Sequence, residues 1–321
     1  MLFRSKGLIV EADSEIYVSY RFYSSNPNQA AAIVSKGISG LGKRFRPGMF
    51  LNKLTPTNNP PGHIGFISVM ATENNTTIDF DLPTARTTTN GTGDHSITID
   101  KFQSYIIANT SSQLSLIGTL VTSDKPIAVN TGSYGTFLLA DGQDYGMDQI
   151  VDASLTGSEY ILIKGQGNDD IEVALVIADQ SNTEIYVNGS YYQSLNNPGD
   201  YTVIKGDEFN ADGNLYISTD DTNDKLFVYQ GTGRVSNANY PGANQAMYFV
   251  PPLNCATRGD VDNIPRIDQV AGRPFTDQAV VSFITKDGAT ILVNGSDVTG
   301  PPYNASPRLV DGNSDYVTYK V

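Results

Sequence analysis

Three copies of one strand–turn–strand pattern, set at almost equal intervals, constrain this chain more than any other feature. Val69-Met70-Ala71 leads to Ile78-Asp79-Phe80-Asp81, Val176-Ile177-Ala178 to Ile185-Tyr186-Val187-Asn188, and Phe283-Ile284-Thr285 to Ile291-Leu292-Val293-Asn294. Ile78, Ile185 and Ile291 stand 107 and 106 residues apart. Self-similarity at a fixed period marks a repeated structural unit whose copies share a core. The following element recurs too, as Tyr105-Ile106-Ile107, Tyr201-Thr202-Val203 and Tyr316-Val317-Thr318. Asn74-Asn75 between two apolar runs and the Asn188-Gly189 dipeptide read as hairpin turns.

A second pattern shows how the copies are phased. Lys125-Pro126-Ile127-Ala128-Val129 has partners at Asp224-Lys225-Leu226-Phe227-Val228 and, near the start, at Ser14-Glu15-Ile16-Tyr17-Val18. Ile150-Val151 corresponds in turn to Ile33-Val34 and Phe249-Val250. The chain therefore enters in the second half of one unit and stops after the first half of the last. We expect one large β assembly over 1–321, with approximate units 30–132, 147–235 and 246–321, the last completed by strands from 1–25. Abundant Tyr, Phe, Val, Ile and Thr, 30 glycines and no sustained 3.6-residue period predict an all-β fold of about three pseudo-repeats. It is either propeller-like or a set of sandwiches, and supplying strands from the other terminus removes free sheet edges. Residues 24–32 and 133–146 read as polar excursions between strands.

Charge narrows the partners. With 21 basic and 34 acidic residues the formal charge is -13. That balance opposes nucleic acid, which needs a Lys/Arg face, and opposes an anionic membrane surface. No apolar run reaches the ~20 residues of a membrane span, and Met1–Gly7 lacks the apolar core of a signal peptide, so we read the chain as part of a longer protein. The single cysteine, Cys255, excludes an internal disulfide. Together with an Asn/Ser/Thr-rich surface this points to an extracellular or cell-surface location.

Catalytic signatures are missing. His63 and His95 are the only histidines, both in expected turns, and no GxSxG, HExxH or CxxC accompanies them. A carbohydrate-active enzyme would need a carboxylate pair, for which Asp144, Asp148 and Glu159 are the candidates. Calcium is the one cofactor suggested by residue pattern. Asp311, Asn313 and Asp315 alternate in one turn, and Asp220, Asp221 and Asp224 crowd another, giving hard oxygen ligands, although Asp and Asn also favour turns for their own backbone bonding. For a binding surface the excursion after the Pro126 strand stands out, with Tyr134, Asp141, Asp144 and Tyr145 in a segment longer than a turn requires.

Lys125-Pro126-Ile127-Ala128-Val129, Asp148-Gln149-Ile150-Val151, Gly157-Ser158-Glu159-Tyr160 and the run from Ala178 to Val187 resemble the IgG Fc-binding protein N-terminal domain family, in its bacterial surface-protein version. The match is clear over 114–190 and extends through the internal repeat. Asp152 stands where the family often has proline. The resemblance implies a non-enzymatic extracellular module for adhesion or recognition, within a larger surface protein. Its partner would be a protein or glycan ligand, or neighbouring copies of itself, the last making it a structural subunit of a filament or layer.

Overall fold

The computed structural model describes residues 2–3, 10–14, 16–25, 28–50, 64–83, 86–109, 116–136, 144–233, 235–237, 240–243, 246–253, 264, 267–270, 273–274 and 279–321. These residues form antiparallel sheets, with three short 3-10 turns between them. The chain begins with a hairpin of β1 (Ser19–Ser25) and β2 (Asn28–Val34), paired from Ser19↔Val34 outward. Strands thus occupy 24–25 and 28–32 of what composition alone presented as a polar excursion over 24–32.

The first unit contains β3 (Leu41–Phe45), β4 (Ile64–Ala71), β5 (Thr76–Asp81), β6 (His95–Ile99), β7 (Ser104–Ala108), β8 (Leu120–Thr136) and β9 (Asp144–Ile150). The spine is β8, a 17-residue strand that changes partners along its length. Its first residues, Leu120–Ser123, pair with β5, and Val121–Thr122 also with β3. From Ile127 to Tyr134 it pairs with β4, and from Val129 onward with β9. The switch falls at 124–126, where Pro126 has no N–H to give a ladder and its carbonyl instead accepts from Thr72 Oγ1 at 2.6 Å. One strand thereby serves two sheets and bends the unit into a half-barrel.

The second unit separates what β8 joins. It comprises β10 (Glu159–Ile163), β11 (Val173–Ala178), β12 (Thr183–Val187), β13 (Ser190–Leu195), β14 (Tyr201–Ile204), β15 (Asn214–Thr219), β16 (Leu226–Thr232) and β17 (Ala246–Val250). One sheet runs β10-β15-β12-β13 and the other β14-β11-β16-β17. Every pairing has a counterpart in the first unit: β14-β11-β16-β17 repeats β7-β4-β8-β9, and β10-β15-β12-β13 repeats β3-β8-β5-β6. The 106-residue sequence period is therefore a repeated strand-pairing diagram.

The strand pairs expected to be hairpins at 69–81 and 176–187 are not hairpins. β4 and β5 make no ladder with each other, nor do β11 and β12, which lie in different sheets. Each polar turn carries the chain from one sheet to the facing one. True hairpin turns follow at Asn188-Gly189 and Asn294-Gly295, where positive φ at both positions (52° and 80°, 50° and 80°) suits Asn and Gly.

The middle sheet fuses the units. All six residues of β11, Val-Ala-Leu-Val-Ile-Ala, are buried, as expected for a strand covered on both faces. Ala174, Val176 and Ala178 face the second unit's own core with Ile185, Leu215 and Ile217. Val173, Leu175 and Ile177, with Phe227, Tyr229 and Phe249, belong instead to the core of the first unit alongside Phe45, Ile67 and Ile127. At ~1.5–3 kcal/mol for each fully buried large apolar side chain, that second face ties the units into one body. Among the described residues the all-β fold thus takes the multi-sandwich form, as stacked layers.

The third unit is shorter. β18 (Ser282–Lys286), β19 (Arg308–Leu309) and β20 (Tyr316–Lys320) make a sheet in the order β18-β20-β19, beside a two-residue hairpin at 292–297. It docks on the second unit through Asn214 Nδ2 to the Leu309 carbonyl (2.7 Å) and Thr318 Oγ1 to Asn214 Oδ1 (2.8 Å), with Val310 and Tyr316 against Ile161 and Tyr216. Ladders from the N-terminal residues run elsewhere: Leu2–Phe3 pairs with β7, and β1 with β2. Among the described residues no N-terminal strand joins the C-terminal sheet.

Candidate binding surface

Each unit boundary is crossed by a long hairpin. The strand partnering β4 or β11 runs out, turns, and returns as the strand that leads into the next unit. The first such arm is β1–β2. The second is the far half of β8 with β9, whose ladder continues past Ser133↔Gly146 to Tyr134↔Tyr145 and Thr136↔Asp144. The third is β16–β17, prolonged by Val235–Asn237 against Tyr240–Ala243. Within the segment 133–146, expected to be a polar excursion, 133–136 and 144–146 are paired strand, and 137–143 lie outside the described residues.

The arms share a root. β9 packs against β2 on one side and β17 on the other. Asp148, on β9 and only 6% exposed, accepts from Lys36 Nζ just after β2 (2.8 Å) and from the Phe249 N–H on β17 (2.9 Å). Gln149 Oε1 accepts from the Lys36 N–H at 2.7 Å, and the Lys36 ammonium lies 5.9 Å from the Phe249 ring centre. A buried carboxylate with two charge-assisted donors from different arms fixes their mutual register.

Two further carboxylates lock the frame beneath. Asp152 accepts from the N–H groups of Lys43 (2.7 Å), Arg44 (2.9 Å) and, through its other oxygen, Ser154 (2.9 Å). Burial pushes its pKa up, but these hydrogen bonds outweigh that and hold it below the usual carboxylate range. Asp152 thereby caps the 3-10 turn Ala153–Leu155 that precedes β10. Asp179 accepts from Arg46 Nε (2.8 Å) and from Arg44 Nη2 (2.9 Å) and Nε (3.1 Å), bridging the first two units. The partners of Asp148 and Asp179 lie 101 to 135 residues away, so they were beyond local sequence reading. Arg44 and Arg46 do share one strand-face parity, the one signal that pointed to them.

The sequence-derived candidates fall in three places. Tyr134, Asp144 and Tyr145 sit together on the second arm, with Tyr145 partly buried; Asp141 lies outside the described residues. Asp220, Asp221 and Asp224 lie in the turn between β15 and β16, where Asp221 Oδ1 accepts from Asn223 N–H and Nδ2, both at 2.8 Å. Burial, then the charges of Asp221 and Asp220, raise the Asp224 pKa. Asp311, Asn313 and Asp315 form the turn before β20, and Asn313 Oδ1 accepts the Asp315 N–H at 3.1 Å. Gly312 rests there on the Asn188-Gly189 backbone, 2.4 Å separating the site of a Cβ from the Gly189 nitrogen. Among the described residues no three His, Cys, Asp or Glu side chains gather to hold a metal.

Among the described residues, the groups weighed for catalysis are stacked or hydrogen-bonded. His95 stacks on Phe80 at 4.9 Å, and His63 and Cys255 lie outside the described residues. Asp148 is engaged at the arm junction, and Glu159 accepts the Tyr216 hydroxyl. A cleft of about 280 Å³ between the second and third units, lined by residues including Lys164, Gln166, Thr232, Tyr248 and Lys320, contains no carboxylate. Exposed aromatic and apolar groups instead mark the arms: Tyr20 is 56% exposed and Tyr248 38%, and Ile38, just past β2, is 88% exposed. No helix among the described residues is long and apolar enough to cross a membrane.

Comparison with known proteins agrees with the strand patterns. No curated protein and no solved structure matches the chain. The family described as IgGFc binding protein matches residues 30–321, which spans all three units and the arms between them. The chain is a member of the IgGFc-binding protein family.

Proposed function

We propose that this chain is a non-enzymatic extracellular recognition module, which binds a protein ligand through its three arms and belongs to a larger bacterial surface protein. The observation that carries the reading is the arm junction. Three equivalent hairpins meet at Asp148, Lys36 and Phe249, and the carboxylates of Asp148 and Asp179 that hold the frame are buried. Rigid scaffolds presenting exposed Tyr are suited to protein recognition, because Tyr gives contact area at low entropic cost. Family membership supports a protein ligand, and the family's description makes immunoglobulin Fc the first ligand to try. Tyr134, Asp144 and Tyr145 of the second arm are the residues we assign to the contact, with Asp141, which lies outside the described residues, and with Tyr20 and Tyr248 from the neighbouring arms.

The test is biolayer interferometry with immobilised Fc and a panel of secreted and matrix proteins. A saturable signal that falls at least about tenfold in Tyr145→Ala with Tyr248→Ala supports the arms as the contact, since interface aromatics commonly carry about 1.4 kcal/mol or more. An unchanged signal in that variant would place binding elsewhere.

A further inference from the structure

The sheet β10-β15-β12-β13 turns one face to its own core, with Ile185, Leu215 and Ile217 buried there. Cross-strand partners point to the same side of a sheet. The pairs Glu159↔Ser218, Ser218↔Tyr186 and Tyr186↔Tyr191 therefore set four side chains in one row on the opposite, outer face. The third unit covers this face at Ile161 and Tyr216, whereas Tyr191 is 57% exposed. The Tyr186 and Tyr191 rings meet edge to face with their centres 5.9 Å apart. Both hydroxyls are engaged: Tyr186 donates to Glu184 Oε2 at 3.0 Å, and the Tyr191 oxygen lies 2.9 Å from Ser194 Oγ. The ring faces are thus held in place.

Charge on this face has one sign. The four strands carry Glu159 and Glu184 and neither Lys nor Arg, and Asp220 and Asp221 follow β15 directly. Among the described residues neither Glu184 nor Asp220 makes an ion pair. The hydrogen bond to Glu184, then burial, then the charges of Glu184 and Asp220 raise the Tyr186 pKa, so the rings stand in a negative field. Strand pairing does not require this character. The matching row in the first unit reads Arg44, Thr122, Asp79 and Ser96, with no aromatic ring and with a cation where the second unit has Glu159.

We propose that this outer face is a second recognition surface, which takes an arginine side chain of a protein partner. Charge complementarity selects a cation. A guanidinium is planar and weakly hydrated, so it stacks on an aromatic face and forks to a carboxylate at once. Here it lies on the exposed ring of Tyr191 and donates to Glu184, with Asp220 adding attraction. A lysine ammonium meets the charge but cannot make the fork. None of these residues belongs to an arm, so binding by the arms is a separate property and is measured separately.

Fluorescence anisotropy of the full chain with labelled Gly-Arg-Gly-Arg-Gly, its lysine counterpart and its glutamate counterpart, at about 0.15 M salt to screen diffuse charge, tests this. The arginine peptide should bind saturably, the lysine peptide more weakly and the glutamate peptide not at all. Tyr191→Ala should weaken the arginine peptide about two- to fivefold, the range of an exposed cation–ring contact, and Tyr191→Phe should keep it. Glu184→Gln should weaken it as well, whereas Asp79→Asn, which removes the same charge from the matching row of the first unit, should not. Circular dichroism checks that each variant folds as the parent does, and the pair Glu184→Gln and Asp79→Asn leaves both rings in place. Equal losses in that pair, or equal binding of the arginine and lysine peptides, would mean that overall charge alone attracts the peptide. Absence of saturable binding up to about 5 mM peptide, or saturable binding of an uncharged oligosaccharide lost in Tyr191→Ala without binding of the arginine peptide, would mean that the face takes no arginine. Each of these results overturns the proposal.

Discussion

Removing the Asp179 carboxylate strikes the joint between the first two units. In Asp179→Ala the Arg46 guanidinium, its side chain only 4% exposed, loses the Nε contact at 2.8 Å and keeps one bond to protein, Nη1 to the Gly118 carbonyl at 3.2 Å. Burial already draws the Arg46 pKa down, opposed by the Asp179 hydrogen bond and charge, so the variant strands a desolvated cation. Removing one partner of a buried pair costs about 3–5 kcal/mol. At roughly 2–4 °C per kcal/mol, that lowers Tm by about 6–20 °C. Arg44 is 40% exposed on the same carboxylate, and an exposed pair contributes at most about 1 kcal/mol, so Arg44→Ala should be mild. Replacing both buried charges, as Arg46→Met with Asp179→Leu, should recover most of the loss, because the charge left without a partner, Arg44, is 40% exposed. Urea unfolding followed by far-ultraviolet circular dichroism measures all four proteins. Finding Asp179→Ala no worse than Arg44→Ala would refute the reasoning that this buried pair joins the units.

Acid should act through Asp152. Its folded pKa is depressed, so its contribution to stability is complete above the ordinary carboxylate pKa and is lost as pH falls through the lower folded value; the stability of Asp152→Asn should therefore fall less steeply below about pH 4, as read by Tm against pH. Gly312→Ala places a Cβ 2.4 Å from the Gly189 nitrogen at a φ of 80°, and should cost about 1–3 kcal/mol while speeding amide exchange in β19 and β20. Leu175→Ala, at 0% exposure between the two cores, should lower stability by about 2–5 kcal/mol in the same urea titration. Excess EDTA should leave Tm unchanged, because Asp221 and Asn313 already accept backbone N–H groups of their own turns; a fall of several degrees would restore calcium as a structural ion.

What could be read from sequence was local or periodic. The repeat was legible because the units share the same apolar strand pattern at nearly equal intervals, but that the first strand of the second copy is buried on both faces appeared only in the structure. Asn188-Gly189 fixed a real hairpin because two positive φ values leave few other residues. The same kind of polar turn at Asn74-Asn75 gave no sign that β4 and β5 would separate, since which sheet the next strand joins is decided by partners such as β8, some fifty residues on. Asp148 and Asp179 were opaque for the same reason. Their donors Lys36, Phe249, Arg44 and Arg46 meet them only through the folded chain. Tyr134, Asp144 and Tyr145 were singled out as contact candidates by a segment longer than a turn requires, and that they stand in a strand ladder appeared only in the structure.

The most direct test of the central claim, that a three-armed rigid frame recognises protein, is the affinity of the purified chain for Fc and for the best responder of a secreted-protein panel, measured with and without the arm substitutions Tyr145→Ala and Tyr248→Ala. The account predicts saturable binding by the parent chain, at least about tenfold weaker in the folded double variant. Saturable binding that the arm substitutions leave untouched, or none to any protein tested, would contradict it.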